Sequence, residues 1–233
     1  MKQFSNTYTL IFSTVMVIIV ATLLSLAATL LQPLQSRNLE IEKKRSMLES
    51  IGVPADKMDA EELYAKYVTE SFVLDHKGEK IPGIDAFNVV VRTEQKKPLE
   101  KQYLPVFSAL PDDGEEVIII PVEGKGLWGP IWGYISLRSD MNTIYGVTFD
   151  HKSETPGLGA EINTADFEDM FRGKRIYDGE KFISIGVIKG GTSPDNPHGV
   201  DGISGGTITS KALEDMLSDC LVKYDGYLLK NRN

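Results

Sequence analysis

The sequence predicts an α+β protein in which one N-terminal transmembrane helix precedes a globular domain built on a twisted, mainly antiparallel sheet with packed helices. Three observations carry this expectation. Tyr8 to Leu31 contain no charged residue. Seven strand-like runs lie between residues 71 and 188, mostly separated by Gly, Pro or Asp turns. Near the C-terminus, Leu213, Met216, Leu217, Cys220, Leu221 and Tyr224 recur at spacings of three and four, which puts them on one helical stripe.

At 1.5 Å per residue, the charge-free run makes a helix of roughly 36 Å, enough to cross a hydrocarbon core of about 30 Å. It exceeds a signal-peptide core, and no small-residue cleavage site follows a shorter one. Ala21, Ser25 and Thr29 repeat every fourth residue, a small-residue face suited to packing against another membrane helix. Residues 37–50 are charged and helix-forming, with Met47, Leu48 and Ile51 apolar before Gly52 and Pro54 stop the run. Asp59 with Glu62 reads as a capping box for a short helix through Val68. Strands are expected at 71–75, 87–92, 104–109, 116–122, 132–138, 143–150 and 182–188. Within this series Asn163 is expected to cap a helix carrying Phe167, Met170 and Phe171 and ended by Gly173. The chain therefore divides into an anchor at 1–33, a helical connecting segment at 34–69 and a domain at 70–233.

Composition narrows the function. The formal charge is −8 with no basic cluster in the soluble part, which argues against a nucleic-acid partner. Cys220 is the only cysteine, so no intrachain disulfide exists, and its place on the apolar stripe makes it a core residue. His76, His151 and His198 show no paired ligand spacing, so no metal site is expected. Lys2 is the only basic side chain ahead of the span, whereas Arg37, Lys43, Lys44 and Arg45 follow it. A positive-inside count would place the globular part in the cytoplasm.

The most informative segment is Asp201-Gly202-Ile203-Ser204-Gly205-Gly206-Thr207-Ile208-Thr209-Ser210, a glycine-packed turn ending where the apolar stripe begins. Thr207 stands at or just before a helix N-terminus. Unpaired N–H groups and the helix dipole favour an anion there, phosphate above all. A glycine-rich loop with an ordinary Ser/Thr cap fits the same pattern. It is not a P-loop, because no Gly-Lys-Ser/Thr triplet follows.

Asp-Gly-Ile-Ser-Gly-Gly-Thr resembles the flavinylation motif Asp-x-x-Ser-Gly-Ala-Thr of the NqrC family, a component of the sodium-translocating NADH:quinone reductase, and of its RnfG counterpart in the related Rnf complex. Gly206 stands where that family usually has alanine. Two further segments are similar to family motifs: Glu154-Thr155-Pro156-Gly157-Leu158-Gly159, a loop placed against the isoalloxazine ring, and Gly124-Lys125-Gly126-Leu127-Trp128 before a strand. Three motifs in order behind a membrane helix cover most of the chain.

The resemblance implies that FMN is joined covalently, as a phosphoester, to Thr207 by a flavin transferase. It implies a protein that passes single electrons between an iron–sulfur centre and another flavin subunit, in a six-subunit membrane complex with NqrA, NqrB, NqrD, NqrE and NqrF. It also implies a bacterial inner-membrane location with the flavin domain on the periplasmic side, opposite to the charge count. Around the ring, Trp128, Leu158 and Ile208 would be apolar walls, although Trp128 also reads as a core aromatic. Thr155 and Gly159 would be hydrogen-bonding or close-approach positions. Lys189 would offer charge to an anionic flavin or be a solvated strand-end lysine. Glu154 would orient its loop or hydrogen-bond the ring, or else cap a helix or sit at the surface. Asp201, Ser204, Gly205, Gly206 and Thr209 complete the expected cofactor-binding set.

The chain would not oxidise NADH alone, since it has no Gly-x-Gly-x-x-Gly in a βαβ setting. Its span offers no sodium path, because it contains no carboxylate. The alternatives are an Rnf-type subunit and a membrane-anchored domain that binds a phosphate-bearing ligand reversibly without redox work.

Overall fold

A computed structural model describes residues 5–232. Lys2, which enters the charge count, lies outside them. The chain forms two compact units, one ending at Lys43 and one running from Lys44.

In the first unit lies most of helix α1 (Asn6–Ser50). Its apolar stretch has a mean hydropathy of 2.6 and is long enough to cross a membrane. Leu10, Ile18, Leu24 and Leu30 are all exposed, the surface a lipid-facing helix presents. Pro33 lies inside the helix without ending it, so the charged run from 37 continues the anchor helix. Thr22 and Thr29 donate their hydroxyls to the carbonyls of Ile18 and Ser25, which satisfies both groups within the helix.

The second unit opens with the end of α1, where Met47, Leu48 and Ser50 are buried. Next come α2 (Ala60–Tyr67), β1 (Val68–Leu74), β2 (Lys80–Ile81) and the short α3 (Val91–Glu94). Strands β3 (Leu104–Ala109), β4 (Val117–Lys125), β5 (Pro130–Leu137) and β6 (Ile144–His151) follow. After them come α4 (Ala165–Asp169), β7 (Tyr177–Asp178), β8 (Lys181–Phe182), β9 (Gly186–Ile188), β10 (Gly199–Asp201), α5 (Thr207–Leu221) and α6 (Asp225–Asn231). The main sheet has the order β2-β1-β3-β4-β5-β6, and each of its pairings is antiparallel. β9 and β10 pair in parallel and β7 with β8 antiparallel, each as a small separate sheet.

Both faces of the sheet are covered. On one, Ile118, Ile120 and Val122 of β4 and Ile131 and Ile135 of β5 join Leu213, Met216, Leu217, Cys220 and Leu221 of α5 in a single core. The stripe read from the sequence is thus the buried face of α5. On the other face, the Ser50 hydroxyl lies 2.8 Å from that of Ser136, and its carbonyl sits over Gly146, the residue paired with Ser136. Edge strand β6 is covered by the segment after it. Phe149 N–H donates to Glu168 Oε1 at 2.6 Å, and Gly173 N–H donates to the Ile144 carbonyl at 2.9 Å. Such cover removes a free strand edge.

Four local expectations are corrected. Residues 87–92 are not a strand: Asp85 accepts the Phe87 N–H at 3.0 Å and starts a 3₁₀ turn at Ala86–Asn88, and α3 follows. The run 182–188 breaks at Ser184, whose φ of 66° ends one short strand before the next begins. Asp59 stands at the N-cap of α2 but makes no side-chain cap bond, so the box with Glu62 does not form. Thr164, not Asn163, precedes α4, and Asn163 ends a 3₁₀ turn.

Candidate functional site

The turn before α5 is shaped by its glycines. Gly205 has φ +75°, and a Cβ there would stand 2.6 Å from Leu158 Cδ2. Gly206 is the N-cap, and Ser210 N–H donates to its carbonyl at 2.8 Å, closing the first helical turn. Ser210 Oγ accepts the Ile203 N–H at 3.0 Å, which folds the turn back onto the helix. Thr207 is the first residue of α5 and is exposed.

Beside Thr207 runs an open groove of about 1180 Å³. One wall is α5, through Thr207, Ile208, Lys211, Asp215 and Asp219. The other is the end of β4 and the start of β5, through Lys125, Leu127, Trp128 and Pro130. α5 can lie this close because Gly124 has no side chain: a Cβ there would meet Met216 Cβ at 2.8 Å. Trp128 is 66% exposed and Ile208 60% exposed. Trp128 is therefore a groove wall and not a core aromatic. Lys211 donates to Glu214 Oε1 and Asp215 Oδ1, and these bonds hold its pKa above the ordinary lysine range.

The three sequence motifs converge beside this groove. Glu154 is buried, and its carboxylate accepts the Trp128 N–H at 2.9 Å and the Thr209 hydroxyl at 2.7 Å. Ser153 Oγ donates to the Trp128 carbonyl at 3.2 Å. Leu158 is partly exposed and packs over Gly205, and Gly159 is buried where a Cβ would collide with Thr209 Oγ1. Thr155 is exposed and accepts the Leu158 and Ala160 N–H groups on its carbonyl, both at 3.1 Å. Ser204 is exposed on the turn. Asp201 accepts the Thr192 N–H at 2.7 Å and so secures the preceding loop.

Lys189 is exposed just beyond β9, beside Gly202, and does not line the groove. Lys125, Leu127, Lys211 and Asp215 line it and were missed as site residues. Lys211 had a readable signal, since it lies four residues after Thr207 and so on the same helical face. Among the described residues no cluster of His, Cys, Asp or Glu could hold a metal ion.

The groove meets the demands of FMN: exposed apolar faces at Leu127, Trp128 and Ile208 for a planar ring, basic side chains at Lys125 and Lys211, and an exposed hydroxyl at a helix N-terminus for a phosphate.

Comparison with known proteins agrees. The FMN-binding domain family matches residues 126–222, which contain all but the first two residues of the three motifs. NqrC of the Na(+)-translocating NADH-quinone reductase of Vibrio alginolyticus is 30% identical, over 82% of this chain and 81% of its own. The chain belongs to the NqrC family. The NqrC of Pseudomonas aeruginosa is 29% identical over 99% of this chain and 98% of its own. The crystal structure of the corresponding protein from Parabacteroides distasonis superimposes with a TM-score of 0.78 at 43% identity, covering 85% of this chain and 96% of that one. The NqrC fold thus extends over most of the chain. The NqrC structure from Shewanella oneidensis, at 23% identity and a TM-score of 0.70, shares the fold.

Proposed function

We propose that this chain is the component of a membrane Na(+)-translocating NADH:quinone reductase that carries FMN as a phosphoester on Thr207 and relays single electrons. One observation carries the reading: an exposed threonine hydroxyl opens a 15-residue helix at the edge of a groove walled by an exposed tryptophan. When bound, FMN supplies one- and two-electron redox chemistry.

The chain's own residues bind and orient. The first turn of α5 offers unpaired N–H groups and the positive end of its dipole to the phosphate. Leu127, Trp128 and Ile208 give apolar cover to the ring. Lys211 stands one helical turn beyond the attachment point with its charge secured. A covalent tether suits a site away from a flavin pool, because noncovalent binding at micromolar affinity, about 8 kcal/mol, is lost by dilution.

The family and the relatives' shared name support the quinone-reductase reading over an Rnf-type subunit. Electrons would come from an iron–sulfur centre and leave to another flavin subunit, with NADH oxidised elsewhere in the complex. The globular unit would face the periplasm from the bacterial inner membrane, and a flavin transferase would load it there.

The test is to produce the chain with an active flavin transferase, denature it and map the adduct by peptide mass. Flavin on the peptide containing Thr207, absent in Thr207→Ala, is the expected result. A colourless chain, with the transferase active on another substrate, would favour a non-redox domain that binds a phosphate-bearing ligand reversibly.

A further inference from the structure

Glu154 is a buried carboxylate that does not itself line the groove. It is 4% exposed, yet both oxygens are engaged: Oε1 accepts the Trp128 N–H at 2.9 Å and Oε2 accepts the Thr209 hydroxyl at 2.7 Å. Its own N–H donates to His151 Nδ1 at 3.2 Å. Two glycines make room for it. A Cβ at Gly126 would stand 2.5 Å from Oε1, and one at Gly159 would stand 2.6 Å from Oε2. One buried side chain therefore joins the β4–β5 turn, the loop after β6 and the first turn of α5.

We propose that Glu154 is the positioning residue of the flavin site. Its two hydrogen bonds fix the Trp128 backbone relative to the first turn of α5, and so hold the indole at a set distance from whatever is esterified to Thr207. The proposal rests on the reading of Thr207 as the attachment site. A buried carboxylate is tolerable only when its acceptors are satisfied, and it specifies geometry because it has no slack partner in water. Glu154→Ala would leave a buried amide N–H and a buried hydroxyl without their acceptor. Glu154→Gln keeps a carbonyl acceptor for the Trp128 N–H and offers an NH₂ to Thr209 Oγ1. Thr209→Val removes one of the two bonds at nearly constant shape.

The experiment uses the full chain, produced with an active flavin transferase, as wild type, Glu154→Gln, Glu154→Ala and Thr209→Val. For each, the loading rate of the Thr207 peptide, the visible circular dichroism of the attached flavin and its midpoint potential are measured. Glu154→Ala is expected to load roughly tenfold more slowly, as misplacement of reacting groups does, and to show weaker flavin dichroism with a shifted potential. Thr209→Val should move the same signals less, and Glu154→Gln should lie nearer wild type than either. Wild-type dichroism and potential in Glu154→Ala would overturn the proposal, as would Glu154→Gln being altered as much as Glu154→Ala. If Glu154→Ala does not fold, wild-type flavin signals in Thr209→Val overturn it, and shifted signals that Glu154→Gln does not share uphold it. A wild-type chain that takes no covalent flavin would instead defeat the Thr207 reading and the role of Glu154 with it.

Discussion

Thr207 is exposed, whereas the residue before it is tightly packed. Gly206 is buried, and a Cβ on it would meet Ile203 Cγ2 at 2.8 Å and Ile203 Cβ at 3.1 Å. Alanine at this place is therefore expected to cost about 1–3 kcal/mol of stability, as overpacking does. Adding Ile203→Ala should recover part of that loss, and urea midpoints of the two variants check it. The departure from the alanine of related motifs was legible in the sequence, but its packing against Ile203 was not. A turn's inward and outward sides are set by backbone angles that no hydrophobic period records. Glu168 makes a second residue-scale prediction. Burial, with the nearby charges of Glu49, Asp169 and Asp150, outweighs its bond from the Phe149 N–H and pushes its pKa from 4.5 up to about 7. Between those values the folded state binds the extra proton, so this group's contribution makes stability fall as pH rises through the window. Glu168→Gln, which can still accept the Phe149 N–H, should flatten that part of the profile measured by denaturant unfolding from pH 4 to 8.

The helices and strands that the sequence revealed were those with a strong period and a clean stop. The stripe from Leu213 to Tyr224 is buried as expected, and the strands near 104–109, 117–125, 130–137 and 144–151 lie close to their expected bounds. Reading failed where a single polar side chain overrode a β-branched run. Asp85 turns Phe87 and Asn88 into a 3₁₀ helix ahead of three consecutive valines. The site's framework was legible as three motifs. Their junction was not, because the burial of Glu154 depends on partners 26 and 55 residues away. The contact of α5 with β4 gives a prediction at this scale. Gly124→Ala would press on Met216 Cβ and should narrow or tilt the groove, lowering stability by about 1–3 kcal/mol. Thermal unfolding of wild type and Gly124→Ala checks it.

At the scale of the molecule, the anchor and the flavin-type domain share one helix but not one compact unit. The second unit begins at Lys44, and Met47, Leu48 and Ile51 belong to its core. A chain starting at Lys44 should therefore fold without the membrane segment. One starting at Gly52 should lose several kcal/mol, at about 1.5–3 kcal/mol per buried large apolar side chain. Comparison of their urea midpoints checks this. Orientation is the one point where composition and family disagree, since the basic residues after the span favour a cytoplasmic domain. Reporter fusions at the C-terminus should be active only when the reporter works outside the cytoplasm.

The central claim is that Thr207 carries the flavin. It is tested most directly by running the denatured full chain, produced with a flavin transferase, on a gel beside Thr207→Ser and Thr207→Ala. Yellow fluorescence that survives denaturation in wild type, remains detectable in Thr207→Ser and vanishes in Thr207→Ala is the expected result. Fluorescence that persists in Thr207→Ala, or its absence from wild type while the transferase loads another substrate, would contradict the account.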